Sequence, residues 1–207
     1  MIAIIDYGMG NVGSINNMLV RIGVKSSNII IAHNCDDLKN AEKLILPGVG
    51  KFDTGMKMLR DSGMREKIDQ FVLEEGRPIL GICLGMQMLG EASEEGDLPG
   101  LGYIPFSCRR FAPVGEALKV PHMGWDYVET SDHNDPLVRS MSGKLRFYFV
   151  HSYYAVCEDT RDSLMTCNYS VVFTAAVRRN HIYGTQFHPE KSHKFGMMLL
   201  KNFVEVG

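Results

Sequence analysis

Short apolar runs alternate with amphipathic stretches along the first half of the chain. A short apolar run bounded by turn residues predicts a buried strand, whereas apolar residues at helical spacing predict a helix. Gly23 follows the first helical stretch, and glycine commonly ends a helix. The predicted strands are residues 2–5, 28–31, 43–46 and 79–82; the predicted helices are residues 12–22, 52–59, 64–75 and 84–89, with a shorter one capped by Asp36 and Asp37.

The pattern changes after Ile104, where β-branched and aromatic runs become frequent. Runs separated by turns such as Arg179-Asn180 predict antiparallel strands over residues 145–150, 164–169, 171–178 and 181–187, before a closing helix over residues 193–204. The sequence therefore predicts an α/β fold. We expect a flavodoxin-like, open, twisted, mostly parallel sheet flanked by helices, with antiparallel strands added in the C-terminal half. We expect residues 1–207 to form a single domain.

Composition limits the possible partners. With 45% hydrophobic and 22% charged residues the chain resembles an ordinary globular protein, and its formal net charge of -2 gives no general attraction to nucleic acid. The short apolar N-terminus lacks a basic region, so we expect neither signal peptide nor membrane span, and a cytoplasmic location. The 5 cysteines include no C-x-x-C pair, which argues against a disulfide framework and a zinc site. No metal or cofactor is predicted.

Cys83 lies between the predicted strand 79–82 and the predicted helix 84–89. Gly81 and Gly85 flank it, and glycines at these positions allow the sharp turn of a nucleophile elbow. The N-terminus of the following helix carries a partial positive charge, which favours the reactive thiolate. The alternative is a buried structural cysteine, a common role for this residue type.

His188-Pro189-Glu190 supplies a candidate base for that thiol. Residues two apart in extended chain share a face, so the imidazole and the carboxylate are expected to point together. Glu190 would then fix the tautomer of His188 and leave its other nitrogen for the thiol, as in a catalytic triad. The two motifs together favour a catalytic cysteine over a structural one.

A glycine-rich loop follows the first predicted strand. Gly8-Met9-Gly10-Asn11-Val12-Gly13 matches the dinucleotide-binding pattern by its letters. That pattern also requires an acidic residue after the second strand, where this chain has Ala32-His33-Asn34. We therefore interpret the glycines as a tight loop in which Asn11 caps the first helix.

Pro47-Gly48-Val49-Gly50 follows the third predicted strand and contributes a flexible backbone at the same edge of the sheet. Acyl transfer requires two preorganised donors for an oxyanion. The N–H of Leu84 is one candidate, and the N–H of Gly48 or Val49 is the second. The alternative is a simple turn.

Together these motifs resemble the triad (class I) glutamine amidotransferases, in which Gly-x-Cys-x-Gly-x-Gln precedes His-Pro-Glu. Within that family the chain is most similar to the glutaminase subunits of imidazole glycerol phosphate synthases. The similarity spans nearly the whole chain. It rests on Asp6-Tyr7-Gly8-x-Gly10-Asn11, Pro47-Gly48-Val49-Gly50, Gly81-Ile82-Cys83-Leu84-Gly85-Met86-Gln87, Pro121-His122-Met123-Gly124-Trp125, Tyr148-Phe149-Val150-His151-Ser152-Tyr153 and Gln186-Phe187-His188-Pro189-Glu190-Lys191-Ser192.

The resemblance implies hydrolysis of L-glutamine and delivery of ammonia to a barrel-type cyclase subunit in a heterodimer of histidine biosynthesis. It implies that Cys83 attacks the amide carbon, that His188 transfers protons and that Glu190 orients His188. It also implies substrate contacts from Gln87, Glu95 and the backbone around His151, Ser152 and Tyr153. Glu95 stands in an acidic stretch, so a solvated surface position is the alternative for it.

The resemblance further implies a docking surface made by Asn11, His122, Met123, Trp125 and Lys191. Trp125 could equally pack in the core, and a lysine such as Lys191 is usually solvated. Asp126 departs from the family, which usually has asparagine after His-Met-Gly-Trp. This departure favours a partner interface that differs in detail.

The sequence is compatible with two other functions. A related amidotransferase subunit could supply ammonia to an enzyme that amidates a nucleotide-linked sugar for surface polysaccharides, with the same triad. A thiol sensor or scaffold on the same fold would need a reactive Cys83 but no tethered base, so His188 and Glu190 argue against it. We also expect low activity without a partner, because glycines allow the oxyanion segment to rest in a non-donating orientation.

Overall fold

The computed structural model describes residues 1–112, 119–139 and 141–206. The helices are α1 Val12–Arg21, α2 Phe52–Asp61, α3 Arg65–Asp69, α4 Leu84–Met88 and α5 His193–Glu205. The strands are β1 Ile2–Ile5, β2 Ile29–Ala32, β3 Lys43–Gly48, β4 Ile79–Cys83, β5 Ala92–Ser93, β6 Phe106–Arg110, β7 His122–Thr130, β8 Leu145–His151, β9 Tyr153–Cys157, β10 Ser163–Asn168, β11 Val172–Arg179 and β12 Ile182–Thr185. A π-helical turn, Gln70–Glu74, continues α3.

The centre of the sheet is parallel, in the order β2-β1-β3-β4-β12. Its strands are short and rich in aliphatic residues because both faces are covered. The carboxyl ends of β3, β4 and β12 lie side by side, and Gly48 pairs with Cys83 at that edge. In open α/β sheets this edge is where ligands bind. The predicted α/β fold is confirmed.

Antiparallel strands extend the sheet beyond β12 in the order β11-β10-β7-β8. A side branch joins β9 to β11 and β6 to β9. Strands β5, β6, β7 and β9 were not predicted from the sequence. Their side chains are largely half-buried or exposed, so they lack the continuous apolar runs by which the other strands were recognised.

Hydrophobic cores lie on both faces of the sheet. In β1, Ile2 and Ile4 pack with α1 and α5 on one face, whereas Ala3 and Ile5 pack with α2 and α3 on the other. This alternation follows from the two-residue period of a strand. The sheet is thereby held rigid between helices, and its carboxyl edge is left for chemistry.

Two predicted helix caps differ from the structure. Asn34 is the N-cap of the 3₁₀ turn Cys35–Leu38, since its side chain accepts hydrogen bonds from the N–H groups of Asp36 and Asp37. Asp37 completes a capping box by accepting from the N–H of Asn34 at 3.3 Å, so the predicted cap is correct for Asp37 and wrong for Asp36. Asn11 precedes α1, but its side chain makes no capping hydrogen bond. Local sequence indicates that a cap is needed more reliably than which neighbour supplies it.

We predict that Gly85→Ala strongly destabilises the fold. A Cβ at Gly85 would lie 1.9 Å from the carbonyl oxygen of Leu46 in β3, and backbone cannot move aside as a flexible side chain can. We expect a loss of at least about 3 kcal/mol in the free energy of unfolding, measured by urea denaturation. Gly13→Ala is the matched control, because a Cβ there meets no atom within 4 Å and α1 should gain slightly. Equal stability of the two variants would contradict the prediction.

Candidate active site

Cys83 lies in a strained turn where β4 passes directly into α4. Its φ of 56° and ψ of -109° place it outside the conformations that residues with a Cβ prefer. The turn is possible because Gly81 packs backbone to backbone against Gly85, with room for no Cβ. Strain of this kind is characteristic of nucleophile elbows.

His188 and Glu190 form a buried pair. The distance from Nδ1 of His188 to Oε1 of Glu190 is 2.8 Å, and each side chain is 1% exposed. The two residues meet across the start of a 3₁₀ turn, Pro189–Lys191, instead of along extended chain. The expectation that they point together therefore holds, but the backbone geometry given for it was wrong.

The remaining nitrogen of His188 is directed to Cys83. Nε2 of His188 is buried and makes no hydrogen bond within the described part of the chain. The imidazole interacts electrostatically with the thiol of Cys83. Burial by itself lowers the pKa of His188, but its interactions with Cys83 and Glu190 outweigh burial and raise the pKa to about 9. His188 is therefore able to hold a proton at neutral pH, between a thiol and a carboxylate.

A cavity of about 400 Å³ opens above Cys83 and His188. It is lined by the residues expected to contact substrate, which come from three separate segments of the chain. The lining includes Val49, Gly50, Leu84, Gln87, Glu95, His151, Ser152 and Tyr153. Sequence positions far apart thus converge on one site at the carboxyl edge of the sheet.

The segment expected to form the oxyanion site lies next to Cys83. Gly48 ends β3, and a Cβ there would meet the N–H nitrogen of Gly85 at 2.9 Å, so only glycine fits this contact. Val49 follows at the surface with 42% exposure, and Gly50 has a φ of 109°. Backbone N–H groups of this segment and of Leu84 are therefore near the thiol, without bulky side chains holding the exposed peptide.

Two polar side chains that line the cavity, those of Gln87 and Glu95, also form hydrogen bonds with other residues of the chain. Nε2 of Gln87 donates to the carbonyl of Tyr153 at 3.3 Å and to Oε1 of Gln186 at 3.0 Å. Oε2 of Glu95 accepts from the N–H of Phe52 at 2.9 Å, at the start of α2. Glu95 is thus fixed beside the cavity, instead of lying in a freely solvated acidic stretch.

Comparison with known proteins identifies the family. The class I glutamine amidotransferases ("Glutamine amidotransferase class-I") match residues 3–206. The chain is 51% identical to "Imidazole glycerol phosphate synthase subunit HisH 2" of Pseudomonas aeruginosa, covering 100% of both chains, and 52% identical to a protein of the same name from Methanococcus maripaludis, covering 99% of both. The chain belongs to the class I glutamine amidotransferases, in the HisH family.

Solved structures agree on the fold. "Crystal structure of glutamine amidotransferase" matches with a TM-score of 0.73 at 19% identity, covering 99% of this chain and 97% of that one. "Structure of PurLQS from Thermotoga maritima" matches with a TM-score of 0.72 at 17% identity over 99% and 97%. At such identities the likeness concerns the fold alone. The described part of this HisH-family chain has no helix long and apolar enough to cross a membrane.

The residues expected at a docking surface differ in how far their side chains are exposed. Met123 is 63% exposed, Lys191 is exposed, and Asn11 is half-buried. Trp125 is half-buried and stacks on His193, with ring centroids 5.2 Å apart. His122 is only 3% exposed, because the alternation of β7 turns its side chain inward while Met123 points out. Contact of His122 with a partner stays a prediction.

His122 belongs to a buried chain of hydrogen bonds that reaches the cavity. Nδ1 of His151 lies 2.8 Å from the carbonyl of Tyr153, which can only accept, so this nitrogen carries the proton. Burial lowers the pKa of His151 to about 3, so the ring is neutral and its Nε2 accepts from Nδ1 of His122 at 3.0 Å. The Nε2 lone pair of neutral His122 therefore faces Oδ2 of Asp126 at 3.3 Å.

Two residues near the thiol received no role from the sequence. Tyr7 is buried, and its hydroxyl donates to the carbonyl of Pro47 at 2.9 Å, at the base of the oxyanion segment. Gln186 is fully buried, and its Nε2 lies 3.8 Å from Sγ of Cys83. Both lie within the motifs that carry the family resemblance, and that position was the available signal.

We predict that Asp126→Asn stabilises the protein near neutral pH. Burial holds the pKa of His122 below its ordinary value despite Asp126, so neutral His122 offers no proton to the carboxylate. An asparagine amide could donate to Nε2, and we expect a gain of about 1 kcal/mol in the free energy of unfolding, measured by urea denaturation.

We expect the gain in the free energy of unfolding of Asp126→Asn to be smaller at acidic pH. Once His122 takes up a proton, below its ordinary pKa of about 6.5, the carboxylate becomes the better partner. Asp97→Asn, which removes an exposed carboxylate, is the control for net charge. A pH-independent effect, or a loss of stability at pH 7, would rule out this proton arrangement.

Proposed function

We propose that this chain is the glutaminase subunit of an imidazole glycerol phosphate synthase. In this proposal it hydrolyses L-glutamine to L-glutamate and ammonia through a thioester on Cys83. It then delivers ammonia to a barrel-type cyclase subunit with which it forms a heterodimer in histidine biosynthesis. A cytoplasmic location and the absence of a nucleic-acid partner are consistent with that metabolic role.

One observation supports the proposal most directly. Three features meet at one cavity of about 400 Å³. They are the thiol of Cys83 on its strained turn, the buried His188–Glu190 pair, and polar residues from three distant segments. A thiol sensor requires the first of these but not the tethered base or the polar lining. Sequence identity of 51% to a HisH subunit over its full length supports the same chemistry.

Acylation uses the atoms that the turn brings together. The Cys83 proton is held by His188 as an imidazolium, and the thiolate sulfur attacks the side-chain amide carbon of glutamine, giving a tetrahedral oxyanion. The N–H of Leu84 and an N–H from Gly48 or Val49 donate to that oxyanion. The imidazolium then protonates the departing nitrogen, so that the C–N bond breaks, ammonia leaves and a thioester remains.

Deacylation repeats the proton transfers with water. His188 accepts a proton from water as its oxygen attacks the thioester carbon, and the C–S bond then breaks to release glutamate. The proton returns to the sulfur of Cys83. Glu190 stabilises the imidazolium in both halves of the cycle through its 2.8 Å contact with Nδ1.

The cavity lining suits an amino-acid zwitterion. The Glu95 carboxylate complements an ammonium group, and Gln87 offers an amide oxygen beside it, since both N–H bonds of its amide are directed to protein. His151, Ser152 and Tyr153 line the same cavity, and in this proposal their backbone N–H groups bind the substrate carboxylate. We expect these contacts to select L-glutamine by both of its charged ends.

The docking surface in this proposal consists of Asn11, His122, Met123, Trp125 and Lys191. An exposed Met123 beside a stacked Trp125 is typical of the apolar anchors at protein interfaces. Asp126, on the same strand, is where this chain departs from the family. That departure favours testing a second acceptor, an enzyme that amidates a nucleotide-linked sugar.

We predict that Cys83→Ala abolishes ammonia release from glutamine, with a loss of at least about 10⁴-fold because the covalent route disappears. The measurement is glutamate and ammonia formation, with and without the cyclase subunit. Cys35→Ala, at a half-buried thiol in a different turn, is the control and should retain activity. We expect low activity without the partner, since the exposed peptide after Gly48 is then free to rotate.

The acceptor is tested in the same complex. Production of imidazole glycerol phosphate from the histidine-pathway intermediate and glutamine supports the proposal, whereas glutamine hydrolysis without that product favours the sugar pathway. Oxidation of Cys83 without any glutamine turnover favours the thiol sensor. Full activity in Cys83→Ala would contradict the mechanism.

We predict that the turnover rate falls as the pH rises through about 9. His188 must carry a proton when ammonia leaves, and its raised pKa of about 9 keeps it charged below that pH. Glu190→Gln removes one interaction that raises this pKa, so the alkaline limb should move to lower pH. The measurement is the pH dependence of kcat in the complex, and Glu74→Gln, at an exposed carboxylate outside the cavity, is the control. If the alkaline limb of kcat stays at the same pH in Glu190→Gln, the proton that the departing ammonia requires does not come from His188.

A further inference from the structure

Gln186 is a fully buried polar residue beside the nucleophile. It follows β12, its backbone N–H donates to the carbonyl of Ala175 at 2.8 Å, and its side chain is 0% exposed. Its Nε2 lies 3.8 Å from Sγ of Cys83, within hydrogen-bonding distance for sulfur. A buried amide in this position loses hydration, so its hydrogen bonds must compensate.

The direction of the hydrogen bonds follows from one carbonyl. The oxygen of Tyr153 can only accept, so the group of Gln87 that lies 3.3 Å from it is the amide nitrogen. The second hydrogen of that nitrogen is then directed to Gln186 at 3.0 Å, which requires the oxygen of Gln186 there. Consequently the nitrogen of Gln186 faces Cys83 as a donor.

A donor and an acceptor thus flank the sulfur of Cys83. The carbonyl of Val150 lies 3.9 Å from Sγ and can accept from the thiol form only. The N–H of Gln186 donates to sulfur, and a donor stabilises the thiolate more than the thiol because the acceptor is then charged. The two contacts therefore distinguish the two protonation states of the nucleophile.

We propose that Gln186 is a positioning residue that stabilises the Cys83 thiolate and fixes the amide orientation of Gln87. This inference rests on the proposed function, in which that thiolate attacks glutamine. By holding one N–H of Gln87, Gln186 turns the Gln87 oxygen into the acceptor that a substrate ammonium needs. One side chain thus links the reactivity of the thiol to recognition of the substrate.

The test compares Gln186→Met with Gln186→Glu. Methionine has a similar length but no donor, and glutamate keeps the shape but presents an acceptor and a charge to the sulfur. The readout is the pH dependence of alkylation of Cys83 by iodoacetamide, quantified on its peptide by mass spectrometry. Burial raises the pKa of Cys157 to about 11 and that of Cys167 to about 12, so these thiols serve as slow internal references.

We expect the midpoint of Cys83 alkylation to rise in both variants, with a rate at pH 7 about tenfold lower in Gln186→Met and lower still in Gln186→Glu. In the complex with the cyclase subunit, we expect a reduced kcat and a raised KM for glutamine. Gln70→Glu, at an exposed glutamine, controls for added charge and should change neither. A residue that only fills space would lower stability without moving the alkylation midpoint.

The inference is overturned if both variants, with unchanged circular dichroism, alkylate with the midpoint of the unsubstituted protein. A second measurement needs no variant: the side-chain amide resonance of Gln186 should shift with the same pH midpoint as alkylation, and an unmoved resonance also overturns the inference. Failure of the proposed function looks different, because Cys83 of the unsubstituted protein would then alkylate no faster at pH 7 than Cys157.

Discussion

The active site depends on the close approach of backbone to backbone where β4 turns against β3. Gly85 lies so near the carbonyl of Leu46 that a Cβ would overlap it, and Gly48 meets the same turn from the neighbouring strand. This contact forces Cys83 to a φ of 56° and places it in register beside Gly48. The candidate nucleophile and the proposed oxyanion segment thus become neighbours through backbone packing, before any side chain contributes.

Burial of polar groups is the second constraint. His188, Glu190 and Gln186 are almost completely removed from water, so each must be satisfied by a partner within the protein. The hydrogen bonds that satisfy them also determine their chemistry. Glu190 leaves one nitrogen of His188 for the thiol, and the carbonyl of Tyr153 determines, through two amides, that Cys83 faces a donor. Low local polarity makes these contacts stronger than they would be in water.

Strand β7 connects this interior to the surface. Met123 faces outward, whereas His122 faces inward and reaches Tyr153 through His151. Alternate residues of one strand therefore face the solvent and the hydrogen-bond chain that leads to the cavity. The carboxylate of Asp126 leaves Nε2 of His122 without the hydrogen-bond donor that an asparagine amide would supply.

Residue type and spacing determined the parallel half of the fold and the chemistry of the site. Three local features were sufficient to predict them: the strand ending at Cys83, the glycines at 81 and 85, and the order of the two motifs. Strand periods and elbow geometry are local properties, so the sequence alone reveals them. Strands β5, β6, β7 and β9 were missed, since strands whose side chains are largely half-buried or exposed carry weak apolar patterns. Only the tertiary structure decided that His122 is buried, that Glu190 reaches His188 across a turn and that Gln186 donates to the thiol. These outcomes depend on which distant groups must satisfy one another once water is excluded, and local sequence does not encode those pairings.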